Sequence, residues 1–302
     1  MYKKPYLLRL FAYIKYNLRK KIFMNEKMNK ILKAIFVIFA VWFSFLLWIV
    51  YQNKNIQITK YDITNSKIPK SFDKFRIVQI SDYHNGTFTR NNEKLIQKLS
   101  NCNPDIIVIT GDLFDGKDED FSLCFDLTER LIKLAPVYFV TGNHEKSIKE
   151  YQDLKQHLEE IGVTVLEDEI TPIERNGESI SLLGIQDLNF QKKMKNIQNV
   201  IQGLMKENTY NILLSHRPEI FEDYVSSNVD LVFTGHTHGG QFRIPFIGGI
   251  YAPHQGFFPK YDAGLFVKNN TTMIINRGLG QSSIPLRFNN NPEIVLVELH
   301  SK

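Results

Sequence analysis

The stretch "VFTGHTHGGQ" (residues 232–241) sets two imidazoles, His236 and His238, around one threonine, with Gly235 before them and Gly239 and Gly240 behind. "VFT" reads as the end of an apolar strand, so the histidines fall where a strand gives way to a loop. Taken alone, the text allows two readings: a polar loop that holds two of the chain's eight histidines, or a pair of metal ligands at a strand end. The choice depends on whether matching ligands stand elsewhere in the chain.

Comparable text recurs at four other places. Apolar runs end in "ISDYH" (Asp82, His84), "TGDLFD" (Asp112), "TGNHE" (Asn143, His144) and "LSH" (His216). In open α/β sheets, function gathers at the carboxyl ends of strands. Asp82 and His84 are two residues apart, as are His236 and His238, and on extended backbone such pairs point the same way. Gly111, Gly142 and Gly235 each precede a candidate ligand and allow a sharp turn or a close approach. A lone D-x-H, G-D or histidine means little; five such ends in series point to one metal-binding edge.

The text between these ends predicts the fold class. "FRIVQIS", "DIIVIT", "VYFVTG", "YNILLSH" and "VDLVFTGH" read as buried strands, and "NNEKLIQKLSNCN", "DFSLCFDLTERLIKL", "KEYQDLKQHLEEIG" and "FQKKMKNIQNVIQGLMKEN" have helical spacing. Residues 163–185 alternate around "RNGE" as in a hairpin, and "TTMIIN" and "EIVLVEL" make the C-terminal part strand-rich. Strands alternating with helices predict a mixed α/β domain. No glycine-rich phosphate loop is present.

Composition, 43% hydrophobic and 23% charged, is that of a globular chain and excludes wholesale disorder. The net charge of +5 belongs to one segment. Residues 1–33 carry ten of the 37 Lys and Arg and one of the 32 acidic residues, Glu26, which leaves 27 basic against 31 acidic residues in the rest. That distribution favours a membrane surface over a nucleic acid, and no interleaved aromatic-basic motif appears, so no nucleic-acid partner is expected. The basic segment runs into "AIFVIFAVWFSFLLWIV" (34–50), seventeen residues without a charge, with Tyr51 as an interfacial aromatic. No A-x-A-like cleavage site follows, which favours an uncleaved anchor over a signal peptide. The expected organisation is a basic cytoplasmic segment (1–33), a transmembrane signal-anchor helix (34–51), a linker and entry strand (52–74) and a catalytic domain (75–302). Ten basic residues before the span against four in residues 51–70 orient the anchor with its N-terminus cytoplasmic and the domain extracytoplasmic, as a single-pass protein of the cell membrane. "MNKILKAIFVIFA" from Met28 reads by itself as a signal-anchor start, and the preceding "PYLLRLFAYIKYNLRKK" reads as a basic interfacial helix or as an upstream extension. Cys102 and Cys124 fit no metal or redox pattern and are expected to be buried thiols.

In series, D-x-H, G-D, G-N-H-E, H and G-H-T-H resemble the calcineurin-like metallophosphoesterases over about residues 75–300. The less generic "GHTHGGQFRIPFIGG", "APHQGFFPKYDAG" and "NRGLGQSSIPLRFNNNPEIVLVEL" are similar to the membrane-associated bacterial branch of YkuE-like and YaeI-like phosphodiesterases. The resemblance implies two packed mixed β-sheets flanked by helices, a four-layer sandwich, behind the N-terminal helix. It implies one metal ion held by Asp82, His84, Asp112 and His238 and a second held by Asp112, Asn143, His216 and His236, with Asp112 bridging. It gives His144 the task of protonating the leaving alkoxide or stabilising phosphorane charge, against the plainer reading of a structural turn histidine. Asp115 is expected to hold its loop. Imidazole, carboxylate and amide ligands without thiolate suit two divalent ions of Mn, Fe or Zn.

The expected function is thus a membrane-anchored, dinuclear metal-dependent phosphohydrolase, cleaving phosphodiester or pyrophosphate bonds by attack of a metal-bridged hydroxide. Envelope or lipid-linked phosphates are the substrate class that the anchor and the resemblance point to. Two alternatives stay open: a phosphomonoesterase or nucleotide phosphodiesterase acting on soluble substrates, and an inactive membrane scaffold on the same fold. Arg217, Arg243, Arg277 and Arg287 lie in or beside the motif loops, where guanidinium suits phosphate but is also commonly just solvated. His254 in "APHQG" is equally open, and His157 and His300 are expected to stand apart.

Overall fold

The computed structural model describes residues 4–86, 92–117, 120–190, 196–280 and 286–302. It forms two compact units, residues 1–51 and residues 52–302. The described residues of the first lie within a single helix, α1 (Lys4–Lys54), so the basic segment from Lys4 and the apolar run share one helical rod. Its Phe11–Lys54 portion is long and apolar enough to cross a membrane.

In the second unit, β1 (Gln57–Asn65), β2 (Phe75–Ile80), α2 (Glu93–Asn101), β3 (Ile106–Thr110), α3 (Ser122–Leu131), β4 (Val137–Val140), α4 (Tyr151–Glu160) and β5 (Thr164–Val165) come first. A hairpin follows, β6 (Glu169–Arg175) and β7 (Glu178–Gly184), turning at the expected "RNGE". Next are α5 (Ile197–Leu204), β8 (Asn211–Leu214), α6 (Phe221–Ser226) and β9 (Leu231–Thr234). Four two-residue strands, β10 (Arg243–Ile244), β11 (Gly248–Gly249), β12 (Tyr251–Ala252) and β13 (Gly256–Phe257), make two small ladders. The long strands β14 (Gly264–Lys268), β15 (Thr271–Ile275) and β16 (Glu293–Ser301) complete the chain.

Two six-stranded mixed sheets result, in the orders β1-β16-β2-β3-β4-β5 and β14-β15-β9-β8-β7-β6. The predicted α/β class and paired sheets are therefore present. The strand alternation explains the layers. On β3, Ile106 and Val108 point into the core between the sheets while Ile107 and Ile109 meet α2, α3 and α4. On β9, Leu231 and Phe233 face the first sheet while Val232 joins the cluster under α5 and α6. Strands covered on both faces read as unbroken apolar runs for this reason. Each such buried side chain contributes about 1.5–3 kcal/mol relative to exposure.

β2, β3 and β4 are parallel neighbours in one sheet, and β8 and β9 are parallel neighbours in the other. Their carboxyl ends are the five motif positions. Gln79 ties the sheets together just below that edge: its side-chain amide donates to Thr110 Oγ1 and to the carbonyl of Thr234, each at 2.8 Å. Cys102 and Cys124 are buried and outside any disulfide, as expected. β1 pairs along its whole length with β16, so residues 57–65 belong to the first sheet.

Candidate metal centre

The motif residues sit just beyond the strands, five of them on left-handed backbone. Asp82 (φ +50°), His84 (+48°), Asp112 (+51°), His236 (+70°) and His238 (+48°) all have positive φ. The expectation that the two i, i+2 pairs lie on extended chain is corrected by the structure: β2 and β9 each break into a left-handed turn, and the turn aims the side chains. Such backbone is costly for residues with a Cβ and is kept where surrounding structure enforces it. Here hydrogen bonds do so. Asp82 and His84 donate their N–H groups to the carbonyls of Gly111 and Asp112 at 3.0 and 3.1 Å, and the carboxylate of Asp82 accepts the N–H of His236. Close approach also explains two glycines. A Cβ on Gly235 would overlap Ser81 Oγ and Asp82 Oδ2, and one on Gly142 would overlap Asp112 Oδ1.

All seven predicted ligands come together. Asp82, His84 and His238 form one cluster whose donor atoms lie within 4.8 Å of one another, and Asp112, His216 and His236 form another. Asp112 Oδ2 lies between the two, 3.7 Å from His84 Nε2 and 3.2 Å from His216 Nε2. Asn143 Oδ1 is 3.2 Å from His216 Nε2. His216 Nδ1 donates to the carbonyl of Thr110 at 2.8 Å, which turns Nε2 toward the cluster.

The donor set fits divalent cations. His84 Nε2 and His238 Nε2 stand 3.3 Å apart, and His236 Nδ1 and His216 Nε2 3.0 Å apart. Pairs of ring nitrogens this close need a proton or a cation between them.

Electrostatics of the metal-free protein agree. Burial presses the pKa of His84 down to about 4 and those of His236 and His238 well below the ordinary histidine value. Burial would do the same to His216, but the adjacent Asp112 carboxylate overrides it and lifts His216 to about 10. Burial would raise Asp112, yet His216 beside it holds it well below the carboxylate range. Burial raises Asp82 to about 6. The centre thus holds a carboxylate–imidazolium pair among neutral imidazoles, which a cation can replace.

His144 takes a different position. Its N–H donates to Asp112 Oδ1 at 2.8 Å, its ring lies 4.5 Å from that of His84, and its Nδ1 is 3.2 Å from Asp115 Oδ1. Asp115 does more than hold its loop, since it orients this ring. Glu145, the last letter of "GNHE", went unassigned in the sequence reading. Fully buried, it accepts the N–H groups of Asp112, Gly142 and Phe114 at 3.0, 2.6 and 3.1 Å and so fixes two of the motif turns.

The four arginines are engaged within the protein. Arg217 makes a buried two-point ion pair with Asp187 at 2.6 and 3.0 Å. Arg243 pairs with Asp262, and Arg277 with Glu293. Arg287, buried, donates to the carbonyls of Arg277 and Gly280 and lies 3.3 Å from His238 Nδ1. His254, by contrast, reaches the centre, stacked 5.4 Å from the ring of His236. His157 packs on Phe125, and His300 lies among Asp62, Asp73 and Glu298, both away from the cluster as expected.

Comparison with known proteins agrees with this geometry. A family model described as calcineurin-like phosphoesterase matches residues 75–240. The metallophosphoesterase YkuE of Bacillus subtilis (strain 168) is 32% identical over 251 residues, 82% of this chain and 86% of that protein. Phosphodiesterase YaeI of Escherichia coli (strain K12) is 32% identical over 200 residues, 65% of this chain and 70% of that protein. A transmembrane protein with metallophosphoesterase domain from Danio rerio is 28% identical over 260 residues, 80% of this chain and 57% of that protein.

Proposed function

The chain belongs to the calcineurin-like phosphoesterase family and is a metal-dependent phosphoesterase, and from that premise we propose that it is a membrane-anchored phosphodiester or pyrophosphate hydrolase using two divalent ions. The observation that carries this is the convergence of seven side chains from five strand ends, with Asp112 between two clusters and His236 Nδ1 3.0 Å from His216 Nε2. In this reading Asp82, His84, Asp112 and His238 hold one ion, and Asp112, Asn143, His216 and His236 the other. Bound divalent ions supply Lewis acidity toward phosphoryl oxygens and lower the pKa of water.

The chain's own residues do the rest. Asp112 offers one oxygen toward each cluster, and Glu145 holds the Asp112 and Gly142 turns so that this carboxylate stays in place. His144 meets Asp115 through Nδ1, which leaves Nε2 as the atom that exchanges a proton with the leaving oxygen. Residues 34–51 form the span, and the basic residues before it support an N-terminus on the cytoplasmic side. YaeI, described as a phosphodiesterase, supports diester over monoester hydrolysis.

The test uses the full chain in detergent, stripped of metal and assayed with an aryl phosphodiester and an aryl phosphomonoester, with and without Mn²⁺, beside Asp112→Asn. Diester hydrolysis that requires metal and falls by about 10³-fold or more in the variant supports the reading. Preference for the monoester points to the soluble-substrate alternative. Two equivalents of metal bound without hydrolysis of either ester points to a scaffold, and no metal binding by folded protein overturns the proposal.

A further inference from the structure

The ladders β10–β11 and β12–β13 form a small cap beside the centre. Its inner side carries His254 against His236 and the fully buried Ala252. Its outer side is apolar: Phe246 is 109% exposed and Phe257 74%, with Ile247, Tyr251 and Phe258 also exposed. Nearby charge is drawn inward, since Asp262 takes both the Arg243 guanidinium and the N–H of Gly249. Lys260, exposed at the border, lies over the ring of Tyr261.

Two of these aromatics are presented at a cost. Phe246 and Phe258 have φ of +68° and +54°, a left-handed conformation that is strained for a residue with a Cβ. Both side chains nevertheless stand exposed, and strained backbone that holds a side chain outward points to something outside that it meets.

The chain's own course indicates what that is. Gln52 and Asn53 directly follow the apolar run that ends at Tyr51. The Gln52 side chain accepts the N–H of Asn289 at 2.8 Å. The Asn53 side chain both accepts the N–H and donates to the carbonyl of Arg287, each at 2.9 Å. From the same strip, Asn289 donates to the carbonyl of Arg243 at 3.4 Å, and Phe288 accepts the N–H of Arg243 at 2.9 Å. A groove of about 480 Å³ is lined continuously from Asn289 to Phe246, Ile247 and Lys260. The point where the chain leaves the apolar segment and the root of the cap are thus fastened to one strip of three residues, 287–289.

We infer that the outer face of the cap, led by Phe246, Ile247, Phe257 and Phe258, seats in the interfacial layer of a phospholipid bilayer and holds the mouth of the metal centre at headgroup level. Aromatic rings bordered by a lysine suit that layer. The substrate class that follows is a phosphate ester or anhydride carried by a lipid; that half rests on the hydrolase reading above, whereas the docking does not.

Both native tryptophans, Trp42 and Trp48, lie in the apolar run. The full chain with Trp42→Phe and Trp48→Phe therefore accepts a single reporter, Phe246→Trp or Phe258→Trp, with Glu160→Trp on α4 as reference. In phosphatidylcholine–phosphatidylglycerol vesicles, the cap reporters should emit to the blue of the reference and be quenched by lipids brominated in the upper acyl chain. Water-like emission without quenching overturns the inference. Blue-shifted emission without quenching also overturns it, in favour of a second copy of the chain on the cap. With Phe246→Ser and Phe258→Ser together, KM for a phosphate ester embedded in those vesicles should rise about tenfold, the loss expected for one aromatic taken from apolar surroundings. The soluble aryl diester should keep its kcat/KM. An unchanged KM on the embedded ester overturns the substrate half. Quenching with no hydrolysis of any ester means that the hydrolase reading has failed while the docking stands.

Discussion

His144 differs from the seven converging side chains because its Nδ1 faces a carboxylate outside their clusters. Replacing it with alanine should lower kcat by about 10²–10⁴-fold and leave the bound metal, measured by elemental analysis, unchanged; loss of metal would instead place it among the ligands. Asp115→Asn should lower kcat more than it raises KM. The double variant should then be no slower than His144→Ala alone, as residues acting through one another require. The seven converging residues were legible in the sequence because each sits in a short motif such as "GHTH" or "GNHE". The tasks of Asp115 and Glu145 were not, although both letters stand in the same text. Asp115 meets a ring 29 residues away, and Glu145 binds N–H groups on two separate turns. Neither partner has any sequence mark that names the other.

At the scale of elements, β3 and β9 were readable from unbroken apolar runs, since each is covered on both faces. The left-handed turns after them were not, because Asp and His carry no mark of positive φ as glycine does. The strands within residues 243–258 were not readable, because two-residue strands are too short to show a period. β1 read as an entry to the domain since its partner, β16, is remote in sequence. Gly235 is where element and site meet. Gly235→Ala should lower metal affinity about 10–100-fold, the range seen when a supporting contact to a ligand is lost, because a Cβ there overlaps Asp82 Oδ2 and Ser81 Oγ. Titration calorimetry with Mn²⁺ reads this directly, and wild-type affinity in the variant would show that the β9 turn is not tightly packed against β2.

For the whole molecule, the metal-free centre links folding to pH. His216, raised to about 10, binds its proton more tightly folded than unfolded, so the stability it contributes is complete below about pH 6.5 and is lost as pH rises toward 10. Glu145, raised by burial and by Asp112 to about 8, also favours its protonated form in the fold, and that contribution fades between about pH 4.5 and 8. Both effects run the same way from pH 6.5 to 8. The Tm of metal-free protein should therefore fall by roughly 5 °C per pH unit there. Because a metal must displace the proton on His216, affinity should rise by about tenfold per pH unit over the same window. Calorimetric scans with and without Mn²⁺ check both, and a flat metal-free profile would mean that neither His216 nor Glu145 holds its proton in the fold. The pairing of β1 with β16 carries a different consequence, one for biosynthesis. Thr59 on β1 bonds Glu293 on β16 across 234 residues, so the first strand to leave the ribosome waits for the sixteenth before it has its neighbour. Until then it is an open edge, and β2 lacks its own partner on that side. Such long-range closure is slow and leaves aggregation-prone surface exposed meanwhile. Nascent chains stalled before residue 293 should be protease-sensitive at β1 and depend on chaperones, and release of the last strand should be the event that locks the first sheet.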